Sequence, residues 1–211
     1  MPLLLAGGAD AYSLSPADIA LICASHVGTR PHVERAAGLL RRAGLGPETL
    51  QCGVHRPFDR ESARALDTAG ARPTALHNNC SGKHAGMLMT CRLLDLPLEN
   101  YLDPEHPLHQ RVLTELSAVC GLTPEEVGVG IDGCSAPCFV TTLAAAARGF
   151  AALAEPAAAG LSAERAAVLS TVGEAMASVP EMVAGPGTFT TRLMEVTGGR
   201  VLGKEGAQGV Y

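Results

Sequence analysis

His77-Asn78-Asn79-Cys80-Ser81-Gly82-Lys83-His84-Ala85-Gly86 packs amide, thiol, hydroxyl, amine and imidazole groups into ten residues. It runs directly into Met87-Leu88-Met89, so the polar cluster stands where a helix begins, opened by Asn79 or Ser81 and continuing to Leu94. The first turn of a helix has unpaired N–H groups, and these lower the pKa of a nearby thiol. Cys80 and Lys83, three residues apart, share one face of that turn. A plain structural reading stays open here: Asn79 or Ser81 is merely a cap and Lys83 a solvated side chain.

Outward from this stretch, helix signals dominate. Ser15-Pro16 supplies a cap with Pro at the first helical position, for a helix reaching about Cys23. Val33, Ala36, Leu40 and Ala43 recur at helical spacing from Pro31 until Gly44 stops the run. Asp59 caps a third helix, and another follows Pro107 and ends at Gly121. Thr123-Pro124-Glu125-Glu126 has a capping-box pattern that opens a short turn before a strand, Val127–Ile131. Leu143–Leu153 and Ala163–Ala177 are two more helices, and Thr190 caps a short one to Val196. Val201-Leu202 and Val210-Tyr211 read as strand pieces around a Gly-rich loop. So few strands for so many helices leave two options: a mostly α fold, or sheet strands outside this sequence.

Two further polar segments stand out. Asp132-Gly133-Cys134-Ser135-Ala136-Pro137-Cys138 follows the 127–131 strand, and loops at strand ends often carry site residues. Cys134 and Cys80 can close on one soft metal such as zinc. Cys23-Ala24-Ser25-His26-Val27-Gly28 places a Ser after a helix, and Ser is inert as a nucleophile until a base takes its proton. His26 is adjacent in sequence but is expected to point elsewhere. A neutral Lys amine can serve instead. The chain has only two lysines, Lys83 and Lys204, against fourteen arginines, which suggests positions where a compact amine with a movable pKa is required.

Generic motifs fail on context. Gly128-Val129-Gly130-Ile131-Asp132-Gly133 fits a dinucleotide fingerprint, but no helix start follows it. Gly82-Lys83 lacks the upstream Gly and the following Ser or Thr of a P-loop. His32-Val33-Glu34 opens a deaminase-like zinc signature whose second half is absent, since Thr141 stands where Cys is needed.

Hydrophobic residues make up 47% of the 211 residues, which excludes extensive disorder, while aromatics are 3% and Trp is absent, so the core has to rest on Leu, Val and Ala. A net charge of −5 argues against nucleic acid or an anionic membrane as partner. No apolar run is long enough to span a bilayer and no signal peptide opens the chain, so a cytoplasmic location is expected. The seven cysteines are odd in number and scattered, as suits buried thiols, metal ligands or reactive groups better than a disulfide framework.

Six stretches, in order, resemble the L-asparaginase family of the rhizobial, thermolabile type: Cys-Ala-Ser-His (23–26), the segment 77–87, Tyr-Leu-Asp-Pro-Glu-His-Pro (101–107), Asp-Gly-Cys (132–134), Pro-Glu-Met-Val-Ala-Gly (180–185) and Gly-Lys-Glu-Gly-Ala (203–207). The segment 77–87 is the specific one. The resemblance implies an α/β (α+β) fold like that of serine β-lactamases and glutaminases, helix-rich, with sheet strands partly missing from this chain. It implies one asparaginase-like domain over residues 1–211, incomplete at both termini.

The activity it implies is hydrolysis of the side-chain amide of L-asparagine to aspartate and ammonia. Ser25 and Lys204 match a catalytic Ser–Lys pair with Lys204 as base; Cys80, Lys83 and Cys134 match a site for one zinc ion; Asp132 and His84 match polar groups that shape the substrate site. A homodimer is allowed. The family's other Ser–Lys pair lies in a Ser-x-x-Lys segment that this chain does not contain, and Val27 and Thr29 replace polar and acidic residues. If the absent serine is the acylated nucleophile, the chain alone is expected to be inactive. Two other readings remain at this point: a non-catalytic zinc- or amino-acid-binding remnant, and a zinc-dependent hydrolase or deaminase of another kind.

Overall fold

The computed structural model describes residues 1–206. Two short helices, α1 (Pro2–Leu5) and α2 (Gly8–Ala11), precede α3 (Pro16–Ile22), α4 (Arg30–Arg42), α5 (Arg60–Thr68), α6 (Ser81–Leu93) and α7 (Pro107–Cys120). An antiparallel hairpin of β1 (Gly128–Ile131) and β2 (Pro137–Val140) follows, with Val129 opposite Phe139 and Ile131 opposite Pro137. The remaining helices are α8 (Leu143–Ala154), α9 (Ala163–Ser178), α10 (Pro180–Val183) and α11 (Phe189–Val196). The described residues thus form a mixed α/β chain, rich in helix, with one two-stranded sheet. None of its helices is long and apolar enough to cross a membrane.

Local chemistry sets most boundaries. Ser15 and Asp18 form a reciprocal capping box at the start of α3, and Asp59 accepts from the Ser62 N–H at the start of α5. Gly121 takes the left-handed conformation (φ 66°) that ends α7. Three expectations need correction. The cap of α11 is Thr188, whose hydroxyl accepts from the Thr191 N–H, while Thr190 lies inside the first turn. Strand β2 occupies part of what reads as a polar loop, because Pro137 at its end donates no ladder bond and conceals the alternation. Val201-Leu202 is a bend and irregular chain, not strand; Val210-Tyr211 lies outside the described residues.

The larger core cluster surrounds α4 and α6, with Leu39, Leu40, Leu88, Met89 and the lone core aromatic Tyr101 fully buried. Each buried Leu or Met contributes about 1.5–3 kcal/mol. Val has little part in it: Leu, Ala, Met and Cys fill the space instead. The second cluster joins Ala20 of α3 to Met176, Met182, Val183 and Met194.

Two glycines let α6 lie against α3: a Cβ on Gly82 would overlap the Leu21 carbonyl, and one on Gly86 would overlap the Ile22 side chain. This close approach brings the end of α3 to the start of α6. The hairpin is anchored by its turn, since Cys134 and Ala136 join the larger cluster while Val129, Ile131 and Val140 stay exposed. Asp132 and Cys134 are thereby pressed against the same helix start.

Candidate active site

Residues 25–27 leave α3 as extended chain. The Ser25 N–H donates to Val183 O (3.1 Å) and the Val27 N–H to Ala184 O (2.8 Å), while the His26 N–H turns the opposite way to Asn79 O (3.1 Å). This alternation sends the Ser25 side chain toward a cavity and that of His26 into the core. His26 is fully buried. Its Nδ1 accepts from the Gly28 N–H (3.1 Å), so Nε2 carries the proton and donates to Ser81 Oγ (2.9 Å), which donates onward to Leu76 O (3.0 Å). Burial, then the neighbouring His32, His55 and His77, lower its pKa to about 3. It is a neutral strut and does not reach Ser25.

Ser25 Oγ meets Lys204 instead. The Lys204 Nζ donates to Ser25 Oγ at 2.7 Å and to Glu205 O at 2.9 Å. The residue as a whole is exposed, yet loss of water around its amine lowers the pKa; Cys80 opposes that shift and Lys83 adds to it. The amine is therefore more readily neutral than an ordinary lysine.

At the start of α6, Cys80 is the N-cap residue, and its N–H donates to Asn78 Oδ1 (2.9 Å). The Asn79 N–H donates to His55 Nε2 (3.0 Å). Lys83 Nζ donates to Asp132 Oδ2 at 3.3 Å. Asp132 sits in the hairpin turn, where Ser135 adopts φ 67° and the Gly133 N–H donates to Asp132 Oδ1 (2.7 Å). The sulfurs of Cys80 and Cys134 and a carboxylate oxygen of Asp132 all lie within 4.8 Å of one another. A hydrogen bond from the Cys80 thiol holds Cys134 far below the usual thiol range against the effect of burial, with help from His84 and Lys83. The same hydrogen bond, with burial, pushes Cys80 up.

His84 backs this cluster. Tyr101 Oη accepts from the Gln51 N–H (3.0 Å) and donates to His84 Nδ1 (2.7 Å), which leaves the proton on Nε2. That buried Nε2 has no hydrogen-bond partner of ordinary length among the described residues. It faces the Cys134 sulfur, whose pKa it helps to lower.

Ser25, Lys204, Cys80, Lys83, Asp132 and Cys134 share the wall of one cavity of about 490 Å³. His84 does not reach that wall and stands behind Cys134. A larger cleft of about 670 Å³ runs along α4 between Arg35, Arg41 and Arg42, and holds none of these groups. Phe58 and Asn79 also line the active cavity and escaped sequence reasoning. A lone aromatic in an irregular loop has no spacing signature, and Asn79 read as a cap. The sulfurs of Cys80 and Cys134 and the Asp132 carboxylate are a donor set suited to zinc, whereas the expected set has Lys83, here bonded to Asp132, in place of that carboxylate.

A comparison with curated proteins finds no match. The whole chain, residues 1–211, matches the model of the L-asparaginase II family and belongs to that family.

Proposed function

From that membership, we propose that the protein hydrolyses the side-chain amide of L-asparagine to L-aspartate and ammonia, with Ser25 as nucleophile and Lys204 as base. The observation that carries the reading is the 2.7 Å contact between Lys204 Nζ and Ser25 Oγ, made by an amine whose pKa burial lowers. Neutral Lys204 takes the Ser25 proton as Oγ bonds to the amide carbon. The proton then passes to the departing nitrogen as the C–N bond breaks, releasing ammonia and leaving an ester on Ser25. Water, deprotonated by Lys204, cleaves that ester and frees aspartate.

Cys80, Lys83 and Cys134 would hold one zinc ion, which when bound supplies a fixed positive charge for orienting the substrate. Lys83 has to lose its proton to join them. Burial favours that loss, but the neighbouring Cys80, Cys134 and Asp132 outweigh it and raise the Lys83 pKa in the metal-free protein. Asp132 presents a carboxylate to the cavity, suited to the substrate's ammonium group, and His84 fixes Cys134 from behind. The fold reading extends to the serine β-lactamase and glutaminase type.

The test is ammonia release from L-asparagine by the purified protein. Ser25→Ala is expected to lower kcat/KM by roughly 10³-fold or more, and Lys204→Ala by about 10²–10⁴-fold. Zinc binding without ammonia release would instead favour a binding protein, and activity indifferent to Ser25→Ala would end the Ser–Lys reading.

A further inference from the structure

Lys204 lies in chain with no regular secondary structure, and Ser25 lies in a loop, yet their atoms meet at hydrogen-bond distance. Both are tied to adjacent residues in the first turn of α11. Thr190 is fully buried, and its Oγ1 donates to Glu205 Oε1 at 3.0 Å, one residue beyond Lys204. Glu205 in turn offers its own carbonyl to the Lys204 amine. The Thr190 methyl also packs close to Gly203, where a Cβ would come within 3.4 Å.

Thr191, equally buried, donates through Oγ1 to Gly185 O at 2.6 Å, with Pro180 O at 3.3 Å. The segment so held supplies Val183 O and Ala184 O to the N–H groups of Ser25 and Val27, and Gly185 packs against the Val27 side chain.

We infer that Thr190 and Thr191 of α11 are positioning residues that set the Ser25–Lys204 separation, Thr190 through Glu205 and Thr191 through the 183–185 chain. The inference rests on the Ser–Lys reading above. Neither threonine touches the cavity, and each acts at one remove. Two neighbouring hydroxyls on one rigid turn give the nucleophile and the base a common reference, which two independent loops lack. Displacing a reacting group by about 1 Å costs up to about 10²-fold in rate.

Thr190→Val keeps the shape and the methyl contact but deletes the donor, whereas Thr190→Ser keeps the donor. Thr171→Val, on the exposed face of α9, removes a hydroxyl that donates to Ala167 O within its own helix and serves as control. The readouts are kcat and KM for ammonia release, together with the rate at which a fluorophosphonate labels Ser25, followed by peptide mass.

Thr190→Val is expected to lower kcat and labelling together by roughly 10- to 100-fold with KM within about twofold, while Thr190→Ser and Thr171→Val stay near wild type. If Thr190→Val does not fold, Glu205→Ala takes its place and is expected to show the same pattern. Wild-type rates in the variant that folds, or equal damage from Thr190→Ser, overturn the inference while leaving the Ser–Lys reading intact. If Ser25→Ala costs the wild type nothing, or if the wild type neither releases ammonia nor labels at Ser25, the underlying reading falls first and takes this inference with it.

Discussion

Cys134 shows how little separates a buried thiol from a metal-ready one. Cys52 and Cys91 are equally buried, and burial pushes each up to about 11. Cys134 is held low because a thiol, an imidazole and an amine all face it. A charged sulfur is the form that binds zinc, so a thiol held low is the one suited to be a ligand in the proposed site. Protein purified in the presence of zinc is expected to hold about one ion per chain, and Cys134→Ala to hold less than about a tenth of that, as read by elemental mass spectrometry. An undiminished zinc content would exclude Cys134 as a ligand.

Such groups were legible because chemistry-bearing residue types sat in unusual strings, 77–87 and 132–134. Phe58 and Glu205 were not legible, since their relevance depends on which distant chain they meet. His84 enters the expected substrate site through the family resemblance, not through any spacing. One position along a helix turns a side chain by about 100°, and that rotation puts His84 behind the wall.

Among the elements, the contact between α3 and α6 sets the site's geometry, and it depends on residues without side chains. Gly82→Ala places a methyl against the Leu21 backbone, which no rotamer change can relieve. The expected cost is about 1–3 kcal/mol, visible as a lower urea midpoint, and a larger proportional loss of activity because Ser25 shifts against Lys204. An unchanged midpoint would show that the helices can part at no cost.

Helix positions were readable where caps and stops act locally, as at Ser15, Asp59 and Gly121. They were misread where two cap-forming residues stand close together. Thr188 and Thr190 have the same intrinsic preference, and only the Glu205 carboxylate meeting Thr190 separates their roles. The hairpin was half legible: β1 announces itself by Val and Ile, whereas β2 begins with Pro and leaves both faces partly exposed, so no burial pattern marks it.

For the molecule as a whole, acid is the condition to which the buried polar groups respond. Above pH 6.5 His26 is neutral in both folded and unfolded chains, and its contribution is fully present. Below that, the unfolded chain binds a proton that the folded one refuses until about pH 3, so stability falls with pH across this window. The slope is about 1.4 kcal/mol per pH unit for this residue. His32, stacked on His26 at 4.7 Å and likewise lowered by burial, adds in the same direction.

Asp18 joins at lower pH. Burial alone would raise it, but hydrogen bonds from Arg42, Ser15 and Arg35 outweigh that and bring it to about 2, so its contribution is lost as pH falls from 3.8 through 2. Urea midpoints measured from pH 7 to 4 should decline steeply in the wild type and less steeply in His26→Asn. Parallel declines would remove His26 as the cause.

Both lysine side chains face a single cavity, and this reverses the usual outcome of protein conjugation. Succinimidyl dyes, aldehyde-activated supports and amine cross-linkers ordinarily scatter over a surface rich in lysine. Here the same reagents, finding no other lysine, would converge on the cavity that holds Ser25 and Cys134. A tether that spares it has to use other chemistry, and Cys138, the exposed thiol among the described residues, offers the handle.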